Sequence, residues 1–288
     1  MNILVTGSNG QLGNEMRVLS AAHPKHTWFF TDIVEAPDTY PLDITDPAAV
    51  AAFVAGHCVD LIVNCAAYTN VDKAEEDEAT AMKINAEALA VLGSQGVRVI
   101  HVSTDYVFSG DEHLPCRESD PVAPRTVYGA TKLHGEKLLL ASCPEAVILR
   151  TAWLYSSYGN NFVKTMIRLG KERKELGVVF DQIGSPTYAG DLARAIFAVI
   201  ESPAWHAGIY HFTNEGVCSW YDFAIAIHEL AGITNCAIHP IRSEEYQYRT
   251  PRPNYSVLDK AKFRATFGMS IPHWMDGLRR CMRVLGNE

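Results

Sequence analysis

Two side chains in the segment YGATK (128–132) have the types and spacing of an acid–base pair. Tyr128 and Lys132 are four residues apart, which places both on one face of a predicted helix, about one turn from each other. An ammonium beside a phenol favours the phenolate, so we expect Lys132 to lower the pKa of Tyr128 from about 10 toward neutrality. Tyr128 could then give a proton to a carbonyl oxygen while a hydride reaches the carbon.

Such a pair is common on helices, so its chemistry depends on what surrounds it. The segment STDY (103–106) ends the fourth predicted strand, 97–103. Ligands of open α/β sheets gather at the carboxyl ends of the strands. We therefore expect Thr104 to donate a hydrogen bond to the substrate oxygen beside Tyr128.

A glycine turn, GSNGQLG (7–13), follows the first predicted strand and opens the first helix. Gly7 permits the tight turn, Gly10 lets a pyrophosphate approach the backbone, and Gly13 lets helix and strand pack closely. The free N–H groups and positive dipole at the helix N-terminus favour phosphate. Position in a strand–turn–helix unit makes this a strong dinucleotide signal.

Asp32 closes the second predicted strand, 19 residues after Gly13. A carboxylate there can bind both adenosine ribose hydroxyls and would repel a 2′-phosphate, which favours NADH. The alternative is that Asp32 is only a turn residue.

Strands and helices alternate through the first half, which predicts a doubly wound parallel sheet, the Rossmann fold. We expect a cofactor domain at 1–155, with 178–202 returning to it, and a smaller mixed α/β substrate lobe over most of 156–288, the two forming one continuous unit without a clean boundary. The predicted strands are 2–6, 27–31, 61–65, 97–103, 146–151, 178–181 and 209–212. The predicted helices are 11–22, one starting at Thr45-Asp46-Pro47, 79–93, 126–142, 161–175, 189–200, 220–231 and one after Pro272.

Amino-acid composition and net charge narrow the class of protein to which the chain can belong. The 288 residues are 48% apolar and carry a net charge of −8, which disfavours nucleic acid as a partner. No apolar run approaches the roughly 20 residues needed to cross a bilayer, so we expect no membrane partner. The seven cysteines are scattered and lack C-x-x-C spacing, which predicts a reducing, cytoplasmic location.

Charge is divided unevenly along the chain. Residues 1–149 hold 9 basic and 20 acidic side chains, whereas 150–288 hold 16 and 13. An anionic substrate should therefore meet its cations in the second half. Arg252 lies between Pro251 and Pro253, which restrict the backbone. A guanidinium held this way can bind phosphate oxygens in a bidentate manner. The alternative is a solvated arginine in a proline-rich loop.

These motifs together resemble the extended short-chain dehydrogenase/reductase family, and within it the branch that reduces the 4-keto group of dTDP-4-dehydro-L-rhamnose to give dTDP-L-rhamnose. The resemblance runs almost end to end, through GSNGQLG (7–13), NCAAYTNVDKAE (64–75), STDYVFSG (103–110), YGATKLHGE (128–136), RTAWLY (150–155), NNFVKTM (160–166) and RPNYSVLD (252–259).

The resemblance implies NADPH or NADH as cofactor and a nucleotide sugar as substrate. It implies that the cofactor is bound by Gly7, Gly10, Gln11, Leu12, Gly13, Asp32, Asp43, Ile44, Ala66, Ala67, Tyr68, Val102, Tyr128 and Lys132. Tyr128 would be the proton donor and Lys132 its partner, also bound to the nicotinamide ribose. The sugar would meet Thr104, Asp105, Tyr128 and Trp153, although Trp153 could instead be a core aromatic.

Several alternatives remain open at this point. Some members of the family bind Mg²⁺ at a dimer contact, and Glu15 matches one ligand, but the segment PTYAG (186–190) lacks the second carboxylate. The sequence therefore supports no metal and leaves monomer or homodimer open. Rival functions are a nucleotide-sugar epimerase or dehydratase of the same fold, and a non-catalytic subunit resembling the regulator of methionine adenosyltransferase.

Overall fold

The computed structural model describes residues 1–246 and 249–286. The strands are β1 (Asn2–Thr6), β2 (Thr27–Asp32), β3 (Tyr40–Pro41), β4 (Leu61–Asn64), β5 (Arg98–Thr104), β6 (Val147–Thr151), β7 (Leu154–Tyr155), β8 (Glu175–Val179), β9 (Ile183–Gly184), β10 (Thr187–Tyr188), β11 (Gly208–His211), β12 (Cys218–Ser219) and β13 (Ala237–Ile241). Seven of them form a parallel sheet in the order β11-β6-β5-β4-β1-β2-β3. This confirms the doubly wound fold.

The helices are α1 (Gln11–Ser20), α2 (Pro47–Gly56), α3 (Val71–Ala74), α4 (Glu78–Met82), α5 (Ala88–Gly93), α6 (Val127–Ser142), α7 (Phe162–Glu172), α8 (Ala189–Ile200), α9 (Trp220–Leu230), α10 (Ala261–Phe267) and α11 (Trp274–Gly286). Among the described residues, no helix is both long and apolar enough to cross a membrane.

Local capping chemistry explains where the predicted helices start. Asp46 accepts hydrogen bonds from the backbone of Ala48 and Ala49 at 2.9 and 3.1 Å, and Pro47 opens α2. Thr126 caps α6 by accepting from Gly129 N at 3.0 Å. α6, which carries Tyr128, therefore begins at the position that the sequence predicts.

The predicted helix at 79–93 is interrupted by a π-helical turn over Lys83–Glu87. Inside this turn the Asn85 side chain accepts from Tyr68 N at 2.9 Å and donates to Tyr68 O at 3.0 Å. On the other side, Gly135 of α6 approaches so closely that a Cβ there would lie 2.0 Å from Asn85 O. The π turn thus lets Asn85 contact both α6 and the loop after β4. Helical periodicity does not reveal this long-range arrangement.

The second half returns to the large sheet partly as the predicted segment 178–202 implies. α8 lies within that segment and packs against α1. β8 extends from 175 to 179 and pairs with β13 in a separate sheet, and β11, which lies beyond the predicted segment, forms the sheet edge beside β6. The predicted helix 161–175 is also wrong at its end, because α7 stops at Glu172 so that β8 can pair.

Apolar side chains cover both faces of the large sheet. β4 and β6 are buried along their whole length, as expected for parallel strands between two helix layers. One face packs on α1 and α8 and also takes Phe263 from α10. The other face packs on α2, α5 and α6. A third apolar cluster, built from α7, α9 and α11, forms the core of the second half.

Candidate active site

A cleft of about 620 Å³ opens at the carboxyl ends of the central strands. It brings together residues that are far apart in sequence but were predicted as one site: Gly10, Gln11, Leu12, Ala67, Val102, Thr104, Asp105, Tyr128, Lys132 and Trp153. A second cavity, of about 370 Å³, shares Gly10 and Ala67 with the cleft and is also lined by Gly7, Asp32, Asp43, Ile44 and Ala66. Together they form one elongated site.

The glycine turn has the geometry that a pyrophosphate needs. Gly7 has φ 64°, and a Cβ there would lie 2.5 Å from Ala66 N. Gly13 is not among the residues that line the cleft. A Cβ at Gly13 would be 2.4 Å from Ser8 Cα, so its role is the close packing of α1 on the turn that follows β1. Gly10 precedes α1 with no side-chain cap, which leaves N–H groups at the helix start for an anion.

At the outer end of the site, Asp32 is held by backbone groups. Its Oδ2 accepts from Asn9 N at 3.0 Å and its Oδ1 from Val34 N at 3.1 Å. Asp43 accepts from Thr45 N at 2.8 Å, and this backbone hydrogen bond lowers the pKa of Asp43. Two carboxylates therefore face the cavity where the adenosine end of a dinucleotide is expected.

The prediction that Lys132 lowers the pKa of Tyr128 is wrong for the free protein. Burial raises the pKa of Tyr128 to about 12, opposed by a hydrogen bond with the Thr104 side chain and reinforced by the Asp105 charge. The desolvation of a phenolate outweighs these polar contacts. Tyr128 is thus protonated at neutral pH, the form that a proton donor requires.

Lys132 is buried, with 1% of its surface exposed. Its Nζ donates to Val102 O at 2.7 Å and lies 3.0 Å from His101 Nε2. Burial lowers the pKa of Lys132 to about 7, opposed by the Glu136 charge. An amine with this pKa is already neutral at the pH where Tyr128 would ionise, so it carries no charge that could depress the pKa of Tyr128.

Thr104 and Asp105 form a buried polar pair at the end of β5. The Thr104 hydroxyl donates to Asp105 Oδ1 at 2.9 Å. Burial raises the pKa of Asp105 to about 7, although the Thr104 hydrogen bond acts in the opposite direction. The cleft therefore holds a carboxyl, an amine and a phenol with shifted pKa values, a pattern typical of functional sites.

Trp153 lines the cleft with φ 48°, a left-handed conformation that is rare for residues other than glycine. Its ring stacks on Trp220 with centroids 3.5 Å apart and planes 7° apart. Stacking and the close backbone of Gly184 hold this strained residue. Trp153 is thus a wall of the cleft, which favours the functional interpretation over the core-aromatic one.

Arg252 lies beside the cleft and does not line it. Its Nη2 is 2.8 Å from Asp72 Oδ2, and its side chain is 20% exposed. It shares a small cavity with Tyr106, which also lines the main cleft. The solvated-arginine alternative does not describe this position.

Tyr68 and Glu15, both singled out in the sequence, are not among the residues that line the cleft. The Tyr68 backbone is clamped by Asn85, and its buried hydroxyl has no hydrogen-bond partner among the described residues. Glu15 is buried and accepts from the Ser156 hydroxyl at 2.6 Å, and burial raises the pKa of Glu15. Within the described ranges no group of three His, Cys, Asp or Glu side chains is arranged to hold a metal.

Sequence reasoning missed two residues behind the site, His101 and Asn64. Both are polar side chains on strands that are otherwise apolar, and both are buried. A histidine inside the apolar run RVIHVST (98–104) was the available signal, because a buried polar group needs a partner.

Comparison with known proteins places this geometry in context. The model of the RmlD substrate binding domain family matches residues 1–286. The dTDP-4-dehydrorhamnose reductase of Aggregatibacter actinomycetemcomitans is 39% identical over 290 residues, covering 96% of this chain and 97% of that protein. The probable dTDP-4,6-dihydroxy-2-methyloxan-3-one 4-ketoreductase of Streptomyces antibioticus is 42% identical, covering 97% and 94%. The Bacillus anthracis dTDP-4-dehydrorhamnose reductase, solved in complex with NADP, is 37% identical with a TM-score of 0.91, covering 98% of this chain and 99% of that one.

Proposed function

Because the chain belongs to the RmlD substrate binding domain family and is similar over nearly its full length to proteins named dTDP-4-dehydrorhamnose reductase, we propose that it reduces the 4-keto group of dTDP-4-dehydro-L-rhamnose to give dTDP-L-rhamnose. The observation that carries this proposal is the meeting of Thr104, Tyr128 and Lys132 in one cleft beside the glycine turn. A proton donor, a polar group for the carbonyl oxygen and a dinucleotide cradle are the parts that a keto reduction needs.

Each of the three side chains has a distinct task. A bound nicotinamide would supply the hydride to the carbonyl carbon. Tyr128 gives its phenolic proton to the carbonyl oxygen, and Thr104, within hydrogen-bonding reach of Tyr128, orients that oxygen. Lys132 stabilises the phenolate that results, which it does best in its ammonium form. Asp105 and Trp153 line the cleft where the sugar ring would lie.

NADPH and NADH are both proposed as cofactors. The turn Gly10–Gly13 offers backbone N–H groups to the pyrophosphate, and Asp32 lies where the adenosine ribose would be. Asp32 alone favours NADH, but a 37% identical relative holds NADP. Both oxygens of Asp32 already accept backbone hydrogen bonds, which disperses the charge that would repel a 2′-phosphate.

The second candidate substrate is a related dTDP-linked keto sugar. The 42% identical Streptomyces antibioticus relative is named as a 4-ketoreductase for a different deoxysugar. The chemistry at Tyr128 would be unchanged, and only the contacts to the sugar ring would differ. This candidate shares the reaction class and differs in specificity.

The deciding experiment follows NADPH and NADH oxidation by absorbance with one keto sugar at a time. We expect the highest kcat/KM with dTDP-4-dehydro-L-rhamnose, lower values with other dTDP-linked 4-keto sugars, and the lowest with UDP- and GDP-linked ones. Oxidation with none of them would overturn the proposal. Purified protein that retains NAD through gel filtration would instead favour an epimerase or dehydratase, because those enzymes regenerate their cofactor.

We also propose that the protein works in the cytoplasm, as monomer or homodimer. All seven cysteines are free thiols, which suits a reducing compartment. Light scattering coupled to gel filtration would distinguish the two assembly states.

A further inference from the structure

A row of buried polar side chains crosses the centre of the large sheet behind the cleft. Thr6 on β1 is in register with Asn64 on β4, and Asn64 is in register with His101 on β5. Their exposed fractions are 0%, 0% and 1%. The row ends at Lys132 of α6. Polar groups in so apolar a layer are costly unless each is hydrogen-bonded in a defined direction.

Backbone chemistry defines the direction of these hydrogen bonds. Asn64 Oδ1 lies 3.2 Å from Ala66 N and 2.5 Å from the Thr6 hydroxyl. A backbone N–H can only donate, so this Asn64 atom is the carbonyl oxygen and the other is the amide nitrogen. That nitrogen donates to His101 Nδ1 at 2.9 Å. His101 Nδ1 is therefore unprotonated, and the neutral ring carries its hydrogen on Nε2.

The Nε2–H of His101 points at Lys132 Nζ from 3.0 Å. A neutral amine has a lone pair that can accept this hydrogen bond, whereas an ammonium has none. Lys132 Nζ meanwhile donates to Val102 O at 2.7 Å, which suits the neutral amine as well. The hydrogen-bond row is thus complete only when Lys132 has released its extra proton.

The charge of Glu136 opposes the effect of burial on Lys132 but does not outweigh it. Glu136, one turn further along α6, is committed to Arg150 on β6 through bonds of 2.9 and 2.7 Å. No carboxylate lies within ion-pair distance of Nζ in the part of the chain that the structure describes. Asp105 is buried and Tyr128 half-buried at the cleft side, and desolvation raises the pKa of each.

We propose that His101, oriented by Asn64 and Thr6, is a positioning residue that fixes Lys132 Nζ and favours its neutral form until cofactor binds, so that binding is accompanied by proton uptake at Lys132. This proposal rests on the proposed function, because it concerns the group that supports Tyr128. The proton comes from solvent and adds to the amine lone pair; no other bond changes. The low pKa of Lys132 and the pKa of His101, which burial holds well below its usual range, agree with it.

The His101 tautomer can be observed directly in the free protein. In protein labelled with ¹⁵N-histidine, the two ring nitrogens have different chemical shifts according to which one carries the hydrogen. The signal that disappears in His101→Gln should be that of a neutral ring protonated on Nε2 from mildly acidic to mildly basic pH. A ring protonated on Nδ1, or on both nitrogens, would overturn the proposal whether or not the protein reduces the expected sugar.

Proton uptake is measured by calorimetric titration with NADH in buffers of different ionisation enthalpy. At about pH 8 the wild-type protein should take up most of one proton per cofactor, because an amine with a pKa of about 7 is largely neutral there. In His101→Gln the amide oxygen can turn toward Nζ and accept from an ammonium, so uptake should fall to about half a proton.

The pH profile of kcat/KM distinguishes a positioning role of His101 from a purely structural one. In His101→Gln the fall of kcat/KM for NADH at high pH should move upward by about one pH unit, since Lys132 of the free protein would keep its proton to higher pH. His228→Gln is the matched control, because His228 is a buried histidine of α9 that bonds Met166 O, in the second half. Equal proton uptake and an equal pH profile in wild type and His101→Gln would contradict the proposal, even if keto reduction itself is confirmed.

Discussion

At the scale of single residues, burial governs the protonation of the groups in the cleft. Removal from water favours the neutral form of every ionisable side chain, so it raises the pKa of Tyr128 and Asp105 and lowers that of Lys132. The free site is therefore close to uncharged. We expect a charged ligand to change the protonation of these groups when it binds, and the protons taken up or released can be measured.

Replacing Tyr128 with Phe tests the proton donor. The ring and its edge-to-face contact with Tyr106, with centroids 5.4 Å apart, are kept, and only the hydroxyl is lost. We expect turnover to fall by roughly 10²-fold or more, the scale of losing general acid catalysis, with NADH affinity retained. Turnover within about threefold of wild type, measured in the same NADPH assay, would remove Tyr128 from the role.

Asp105 gives a pH dependence of stability with a defined sign. Its pKa is about 7 in the folded protein, against 3.8 for an ordinary aspartate. Between these values the folded state holds a proton that the unfolded state has lost, so the unfolding free energy contributed by Asp105 decreases as pH rises through that window. Asp105→Asn should therefore gain stability relative to wild type from about pH 4 to pH 7, by at most about 4 kcal/mol.

Urea unfolding at several pH values measures this difference. Asp111→Asn is the control, because Asp111 is exposed and paired with Arg125 at the surface. A stability difference between Asp105→Asn and wild type that does not change with pH would contradict the buried-acid interpretation.

Arg252 is proposed to bind the diphosphate of the substrate from the edge of the cleft. Arg252→Ala should raise the KM for the nucleotide sugar, with about 1.5–3 kcal/mol of affinity lost, and leave the NADH dissociation constant within about twofold of wild type. Arg249→Ala is matched, since Arg249 lies in the same loop but is 77% exposed and pairs with Glu76. Fluorescence titration of both ligands decides: equal weakening of NADH and sugar would make Arg252 structural.

At the scale of elements, one ion pair holds α6 in place on the sheet. Arg150 of β6 binds both oxygens of Glu136, and the two side chains are 3% and 2% exposed. α6 carries Tyr128 and Lys132, so this pair positions the acid–base groups from behind. The π turn acts from the neighbouring helix, where Asn85 also donates to Thr131 Oγ1 at 3.2 Å. The active site thus depends on contacts that lie outside the cleft.

Loss of the Glu136–Arg150 ion pair should lower the free energy of unfolding substantially. Glu136→Gln leaves the Arg150 charge buried without its partner, which we expect to cost about 3–5 kcal/mol of unfolding free energy. Glu172→Gln is the matched control, since Glu172 pairs with Arg168 across one exposed turn of α7 and should cost less than about 1 kcal/mol. Chemical denaturation compares them; equal, small losses would mean that the buried pair contributes little.

At the scale of the whole molecule, the two halves of the chain share one core. Phe263 of α10 is fully buried against Tyr210 and Phe212 at the edge of the large sheet, although most of that sheet is built from the first half. α8 crosses back in the same way to pack on α1. A division at residue 155 therefore separates elements that fold against each other.

Truncating Phe263 tests this coupling. Phe263→Ala should cost about 3–5 kcal/mol, the scale of a large core cavity, and should lower the stability of the cofactor half and the substrate half together in one transition. Leu114→Ala is the control, because Leu114 is 69% exposed. Hydrogen exchange that shows lost protection only in the second half, with the first half unchanged, would mean that the halves unfold separately.

Local sequence determined much of this protein. Helix starts at Asp46-Pro47 and Thr126 follow from capping chemistry within a few residues. The glycine turn and the strand–helix alternation predict the sheet class, because they depend on backbone conformations and apolar periodicity that short segments already display. The presence of Tyr128, Lys132 and Thr104 in one cleft was also predictable, since the spacing of four puts Tyr128 and Lys132 on one helix face and Thr104 ends a strand at the edge of the sheet where ligands bind.

Tertiary structure alone decided the rest. Whether Lys132 meets a carboxylate or His101 depends on which strands are neighbours and in which register, and these contacts span 31 residues or more of chain. The same holds for the late return of β11 and for the π turn at Asn85. Protonation follows from burial, which is a property of the assembled core and has no local signal. That is why the pKa of Tyr128 could not be predicted from its spacing to Lys132.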